Sequence, residues 1–128
     1  MLATNKKSIA LPNLMSMKRF QNLELINHKD QLVGKIQDYI LSVHDLSVDY
    51  VVVFPDASLS IKDKLFIVPW SALRLADNEL HFILPIELEE LRNAPGYSSD
   101  WPDTPDQILL DKVEDFYRKI FTRSNPKV

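Results

Sequence analysis

The stretch Lys62-Asp63-Lys64-Leu65-Phe66-Ile67-Val68-Pro69-Trp70-Ser71-Ala72-Leu73 decides how the chain is read. Leu65 to Val68 is an unbroken apolar run of residues that suit a pleated surface. Pro69 closes it, because proline has no N–H to give to a central ladder. A short run bounded in this way reads as a strand, and Leu73 and Leu75 continue the extended pattern after a bend. Trp70, just beyond the proline, is expected to be buried at the edge of the fold. Just upstream, Asp49 to Phe54 has the same β-branched and aromatic character and is a second strand. Pro55-Asp56-Ala57-Ser58 opens the loop between the two.

Further upstream, Leu32 to Val43 forms a longer run with Gly34 inside it, where glycine marks a bulge or a close backbone approach. Tyr39, Leu41 and Val43 share one face, and Ile36 and Ile40 share the other with Asp38. A strand apolar on both faces needs cover on both sides. Asp45-Leu46-Ser47 reads as the turn into the strand Asp49–Phe54. His28-Lys29-Asp30-Gln31 reads as the turn out of an earlier strand, in which Leu23 and Leu25 flank Glu24. Downstream, Asp77-Asn78 is a turn pair, and Leu80, Phe82 and Leu84 alternate with His81 and Ile83 in a last strand. Five or six short strands therefore follow one another with no helix-length segment between them. That order predicts a small antiparallel barrel or sandwich and argues against a βαβ fold.

The end of the chain is helical. Glu87 to Arg92 reads as a short helix, stopped by Asn93 and Pro95. After a loop over 96–103, Thr104 is the expected N-cap, with Pro105 at the first helical position and Gln107 three residues after the cap. Leu109, Val113, Phe116, Tyr117, Ile120 and Phe121 then form one apolar stripe on a helix of about residues 105–122. The stripe needs burial against the strands, against a second subunit, or both.

The 128 residues amount to one domain. Residues 1–20 read as a flexible N-terminal segment, 21–123 as the domain and 124–128 as a tail. There is no cysteine, which excludes disulfides, thiolate metal sites and cysteine nucleophiles. No apolar run of signal-peptide or membrane-spanning length is found, so a cytoplasmic location is expected, without a transmembrane segment. Charge is uneven. Residues 1–20 carry Lys6, Lys7, Lys18 and Arg19 and no acid, 77–115 carry eleven acids against Arg92 and Lys112, and 116–128 carry four bases. The net charge of −3 thus hides basic ends around an acidic stretch; solvated faces that differ in charge are the expected account, and basic termini that touch an anionic partner or the acidic stretch of a second copy are the alternative.

Four segments, taken together, resemble the PRC-barrel family. Leu32-Val33-Gly34-Lys35-Ile36-Gln37-Asp38-Tyr39-Ile40-Leu41 is similar to the family's opening motif, a glycine, an aliphatic residue, an acid and an apolar run. Lys62 to Leu73 is similar to the strand that ends in Val-Pro-Trp-x-x-Leu. Leu91-Arg92-Asn93-Ala94-Pro95-Gly96-Tyr97 and Trp101-Pro102-Asp103 look like the tail of stand-alone bacterial members. The resemblance covers roughly residues 20–105 and implies a six-stranded antiparallel barrel over about residues 20–86, followed by a short helix and a C-terminal amphipathic helix. The family includes the cytoplasmic part of the photosynthetic reaction-centre H subunit and the C-terminal domain of the ribosome maturation factor RimM. Both use the barrel to bind protein and not to catalyse. Neither the membrane helix of the first nor the preceding domain of the second is expected here. Its loop after Phe54 also departs from the glycine-rich form frequent in the family.

Little in the chain points to catalysis. His28, His44 and His81 have no metal-ligand spacing. Asp100, Asp103 and Asp106 lie close together but lack the twelve-residue calcium-loop pattern, so helix capping and solvation are their expected roles. Ser58, Ser60 and Ser71 sit in no nucleophile elbow, no glycine-rich phosphate loop exists, and Glu89 and Glu90 are adjacent on a helix and do not face each other. No catalytic residue, cofactor or metal is therefore expected, and the chain is read as non-enzymatic. Trp101 is read as a latch on the barrel. Tyr97, Trp101, Tyr117 and Phe121 are the candidate interaction surface, aromatics being enriched at interface centres. The expected function is a protein-interaction module of unknown pathway, self-associating, a dimer being favoured, with a further unidentified protein partner. The alternatives are a ribosome- or RNA-associated accessory factor and a peripheral membrane component carrying Leu11, Leu14, Met15 and Met17 on a basic segment. Nucleic acid is the weaker partner class, since the chain is acidic and lacks interleaved basic and aromatic residues.

Overall fold

A computed structural model describes residues 11–62, 64–77, 79–98 and 100–124, with side chains as far as Thr122. Parts of the expected N-terminal segment and tail, together with Asn78 of the expected turn pair, lie outside the described residues. The architecture is mainly β with one C-terminal helix. The strands are β1 (Glu24–Ile26), β2 (Leu32–Leu41), β3 (Val48–Pro55), β4 (Leu65–Pro69), β5 (Arg74–Leu75), β6 (Phe82–Ile83) and β7 (Gly96–Tyr97), and the helix is α1 (Gln107–Ser124). They form one sheet in the order β5-β6-β1-β2-β3-β4-β7.

The expectation of six antiparallel strands in a closed barrel is corrected on three points. The described residues form seven strands, the sheet is open, and β1 pairs with β6 in parallel. The seventh strand, Gly96–Tyr97, falls where the sequence reads as loop, because a two-residue strand carries no periodic signal. The parallel pair arises because β6 does not continue the meander. Its chain returns to the open edge of β1, where Leu84 N–H donates to Ile26 C=O at 2.8 Å.

The sheet is nevertheless strongly curled, as chain length requires. β4 and β5 stand five strand steps apart in the sheet, which is about 24 Å if flat. Only Trp70 to Leu73 separate Pro69 from Arg74, and such a connection spans at most about 18 Å. Three of those four residues, Trp70–Ala72, are further shortened into a 3₁₀ turn. The sheet bends until the end of β4 approaches β6, and Trp70 bridges the gap. Its ring meets Tyr39 of β2 at 6.4 Å and Phe82 of β6 at 5.4 Å, both edge-to-face. Trp70 remains 37% exposed, so the expectation that it is buried is also corrected.

Gly34 and Gly96 permit the tight crossings within this sheet. A Cβ on Gly34 would lie 2.1 Å from the Phe54 carbonyl oxygen, and one on Gly96 would lie 2.0 Å from that of Leu65. These are close backbone approaches, as expected for Gly34, and neither glycine has positive φ.

The strand covered on both faces is β4, all five of whose residues are buried, rather than β2, which becomes half-buried and then exposed from Asp38 to Leu41. Alternate side chains of a strand point to opposite faces, so β4 needs cover on each side, and α1 packs against it. Val113, Tyr117 and Ile120 are buried in the core and Leu109, Phe116 and Phe121 are packed at its margin, so this chain itself covers much of the apolar stripe. Tyr50 on β3 donates to Glu114 Oε2 at 2.7 Å and fastens the helix further.

The helix begins two residues later than expected. Asp106, not Thr104, is the cap: its side chain accepts from Ile108 N–H at 3.2 Å and its carbonyl from Leu110 N–H at 3.0 Å. The expected short helix over Glu87–Arg92 is a 3₁₀ segment, Leu88–Asn93. In the β1–β2 turn, the buried Asn27 side chain accepts from Lys29 and Gln31 N–H at 3.0 and 2.9 Å. No helix among the described residues is long and apolar enough to cross a membrane.

Candidate interaction surface

A cluster of exposed apolar residues stands at the far end of the β2–β3 hairpin. Ser42 N–H donates to Ser47 C=O and Leu46 N–H to Ser42 C=O, each at 2.8 Å, closing a tight loop over 42–47. On this loop and the last residue of β2, three large apolar side chains face solvent: Leu41, Val43 (84% exposed) and Leu46 (76% exposed).

Leu46 also has φ +58°. The other non-glycine residues with positive φ among the described residues are Asn22, Asp30 and Ser60, whose short polar side chains suit or tolerate that region. Leucine does not, and the left-handed conformation costs it roughly 1 kcal/mol. Glycine or asparagine would suit the loop better. Within the folded monomer the exposed side chain contributes little that would offset this strain. Backbone strain on an exposed apolar residue points to a role outside the chain's own stability.

The electrostatics of this end are equally one-sided. From Ile36 to Ile61 there is no lysine or arginine, while Asp38, Asp45, Asp49 and Asp56 occur. Asp45 and Asp49 are exposed beside the apolar residues, with His44 at the tip. Such a surface repels phosphate-rich partners and suits a protein surface with an apolar hollow and a basic rim.

The four residues that the sequence nominated do not form one surface, and only Tyr117 and Phe121 lie side by side. Tyr97 and Tyr117 are buried, and among the described residues their hydroxyls have no hydrogen-bond partner. Burial raises both phenols above their ordinary pKa, with Asp38 and Asp106 adding to the effect at Tyr97. They are core residues and present no contact surface. Trp101 is half-buried and its indole N–H donates to Asp38 Oδ2 at 2.7 Å, so it latches the segment after β7 onto β2. Together with Phe54, Ile61, Lys62 and Lys64 it lines a groove of about 520 Å³. Phe121 is half-buried, 6.4 Å from the Tyr117 ring, and the two line a separate cleft of about 220 Å³ with Pro69 and Arg118.

The sequence reading missed the hairpin end. The available signal was Leu46 itself, which with Val43 is one of two aliphatic residues in a loop otherwise made of serine, histidine and aspartate.

Several other titratable groups have local partners. His28 Nε2 lies 3.3 Å and Lys29 Nζ 2.9 Å from the Glu87 carboxylate, and these contacts, the lysine's foremost, hold that group below the usual carboxylate range. His81 Nδ1 is 3.7 Å from Glu79. Ser58 donates both its hydroxyl and its N–H to Asp56, which caps a 3₁₀ turn. Among the described residues no three carboxylates or imidazoles converge as a metal site. No family model matches the chain, and no curated protein matches it.

Proposed function

We propose that the chain is a non-enzymatic protein-interaction module of the PRC-barrel kind that docks through the end of its β2–β3 hairpin. The observation that carries the reading is Leu46, strained and exposed beside Val43 and Leu41 on an acidic hairpin. The family kinship is supported by the order of its motifs. The curled sheet is compatible with it, because Gly34 sits at a close backbone crossing and Trp70, after Val68-Pro69, reaches across to β6.

The test is capture of host proteins on the immobilised chain after nuclease treatment, with Val43→Ser/Leu46→Asn run in parallel. The expected result is a nuclease-resistant set of proteins retained by the parent and lost by the variant. Equal retention by both chains would overturn the docking site, and recovery of nuclease-sensitive ribosomal particles would favour the RNA-associated alternative.

A further inference from the structure

Two exposed apolar patches of this chain carry opposite charge. The hairpin end presents Leu41, Val43 and Leu46 beside Asp45 and Asp49. The segment leading into β1 presents Leu14 (90% exposed) and Met17 (70% exposed) beside Lys18 and Arg19, and it has no acid from Leu11 to Phe20. This segment is tied to the body. Met17–Phe20 is a 3₁₀ turn whose Lys18 N–H is capped by Ser16 Oγ, and the Phe20 carbonyl accepts from the Tyr39 hydroxyl. In that position Leu14 and Met17 face solvent, and so do the hairpin residues, so neither patch covers the other within one chain. Apolar side chains that the fold leaves apart, rimmed by opposite charges, are complementary surfaces for two copies.

We infer that the chain pairs with a second copy reciprocally, the lead-in segment of each copy lying on the hairpin end of the other. Lys18 and Arg19 then meet Asp45 and Asp49 twice about a two-fold axis, and assembly closes at two. The inference rests on the reading of the hairpin end as a protein-docking surface and names its partner.

Charge exchange tests it. By sedimentation or light scattering the parent is expected at twice 14.8 kDa, with weaker pairing in high salt as the charges are screened. K18E/R19E and D45K/D49K should each be monomeric where the parent is dimeric, with the dissociation constant raised about tenfold or more. An equimolar mixture of the two variants should dimerise again, because only the mixed pair sets opposite charges against each other at both contacts. Circular dichroism checks that each variant is folded, and the mixture keeps the test valid even if one variant is weakened.

A parent that stays monomeric over a roughly hundredfold concentration range, charge variants that remain dimeric, or a mixture that fails to re-pair would overturn the inference. So would a monomer whose lead-in segment instead binds anionic phospholipid vesicles. A monomer that still captures host protein through its hairpin end overturns this inference alone. A dimer indifferent to hairpin variants, with host capture equally indifferent, overturns both readings.

Discussion

At its root the β2–β3 hairpin is closed by Gly34 against Pro55, with Ile36, Val51, Val52 and Val53 all buried. At its far end the same two strands carry Leu41, Val43 and Leu46 into solvent, the last with a left-handed backbone. Root residues are accounted for by the chain's own packing: their size, branching and, for Gly34, lack of a side chain each answer to a neighbour. At the far end Val43 and Leu46 lie mostly in solvent and are not accounted for by packing among the described residues. Where stability explains a residue, substitution should cost stability. Where it does not, substitution should cost association and leave or improve stability.

The largest effect is expected at the root. Gly34→Ala would set a Cβ 2.1 Å from a backbone oxygen that cannot rotate aside, so a loss of about 3 kcal/mol or more is expected in chemical denaturation. An unchanged midpoint would show that the root can spread, and would weaken the contrast.

Alkaline titration tests the same packed side. Tyr117 is buried and its phenol is raised above the ordinary value of 10.0 by desolvation. The unfolded chain releases this proton near pH 10 while the fold retains it. The contribution is therefore full below the unfolded value and falls as pH rises beyond it, by about 1.4 kcal/mol per pH unit. Tyr117→Phe should flatten that slope at no cost near neutrality, since the hydroxyl has no partner among the described residues.

Trp101→Phe probes the latch. It removes the N–H given to Asp38 at 2.7 Å and should cost about 1–2 kcal/mol, read as a lowered Tm. No change would mean that solvent replaces the bond.

Smallest in size and opposite in sign is Leu46→Asn, which relieves the left-handed leucine and should raise stability by about 0.5–1 kcal/mol while weakening pairing. A loss of stability would place Leu46 with the root residues and break the comparison.

Much of the fold was legible in the chain. The strands at Leu32, Asp49 and Leu65 announce themselves by β-branched runs, and their ends by Pro69 and polar turns. The stripe from Leu109 to Phe121 predicts the helix, and the structure supplies its cover from β4. Of the two-residue strands, β5 and β6 fall inside segments that Leu73, Leu75 and the alternation of Leu80, Phe82 and Leu84 mark as extended, whereas β7 reads as loop, because pairing on β4, not local pattern, makes it a strand. The candidate surface was least legible. Tyr97 and Tyr117 carry the residue type of an interface, yet they stand where strand pairing and helix phase turn them inward. Trp101 was read correctly as a latch, but only the structure shows Asp38 as its catch.

By itself, then, the sequence determined which segments extend, where they turn, which helix face is apolar, and that no cysteine chemistry is available, since these follow from local side-chain character and its period. Tertiary structure decided the rest. The four-residue link between β4 and β5 forces the sheet to curl, the return of β6 to β1 makes the sheet mixed, and the loop over 42–47 lifts Leu41, Val43 and Leu46 clear of the core. Exposure depends on what lies across space, and distant segments of the chain supply that only once it has folded.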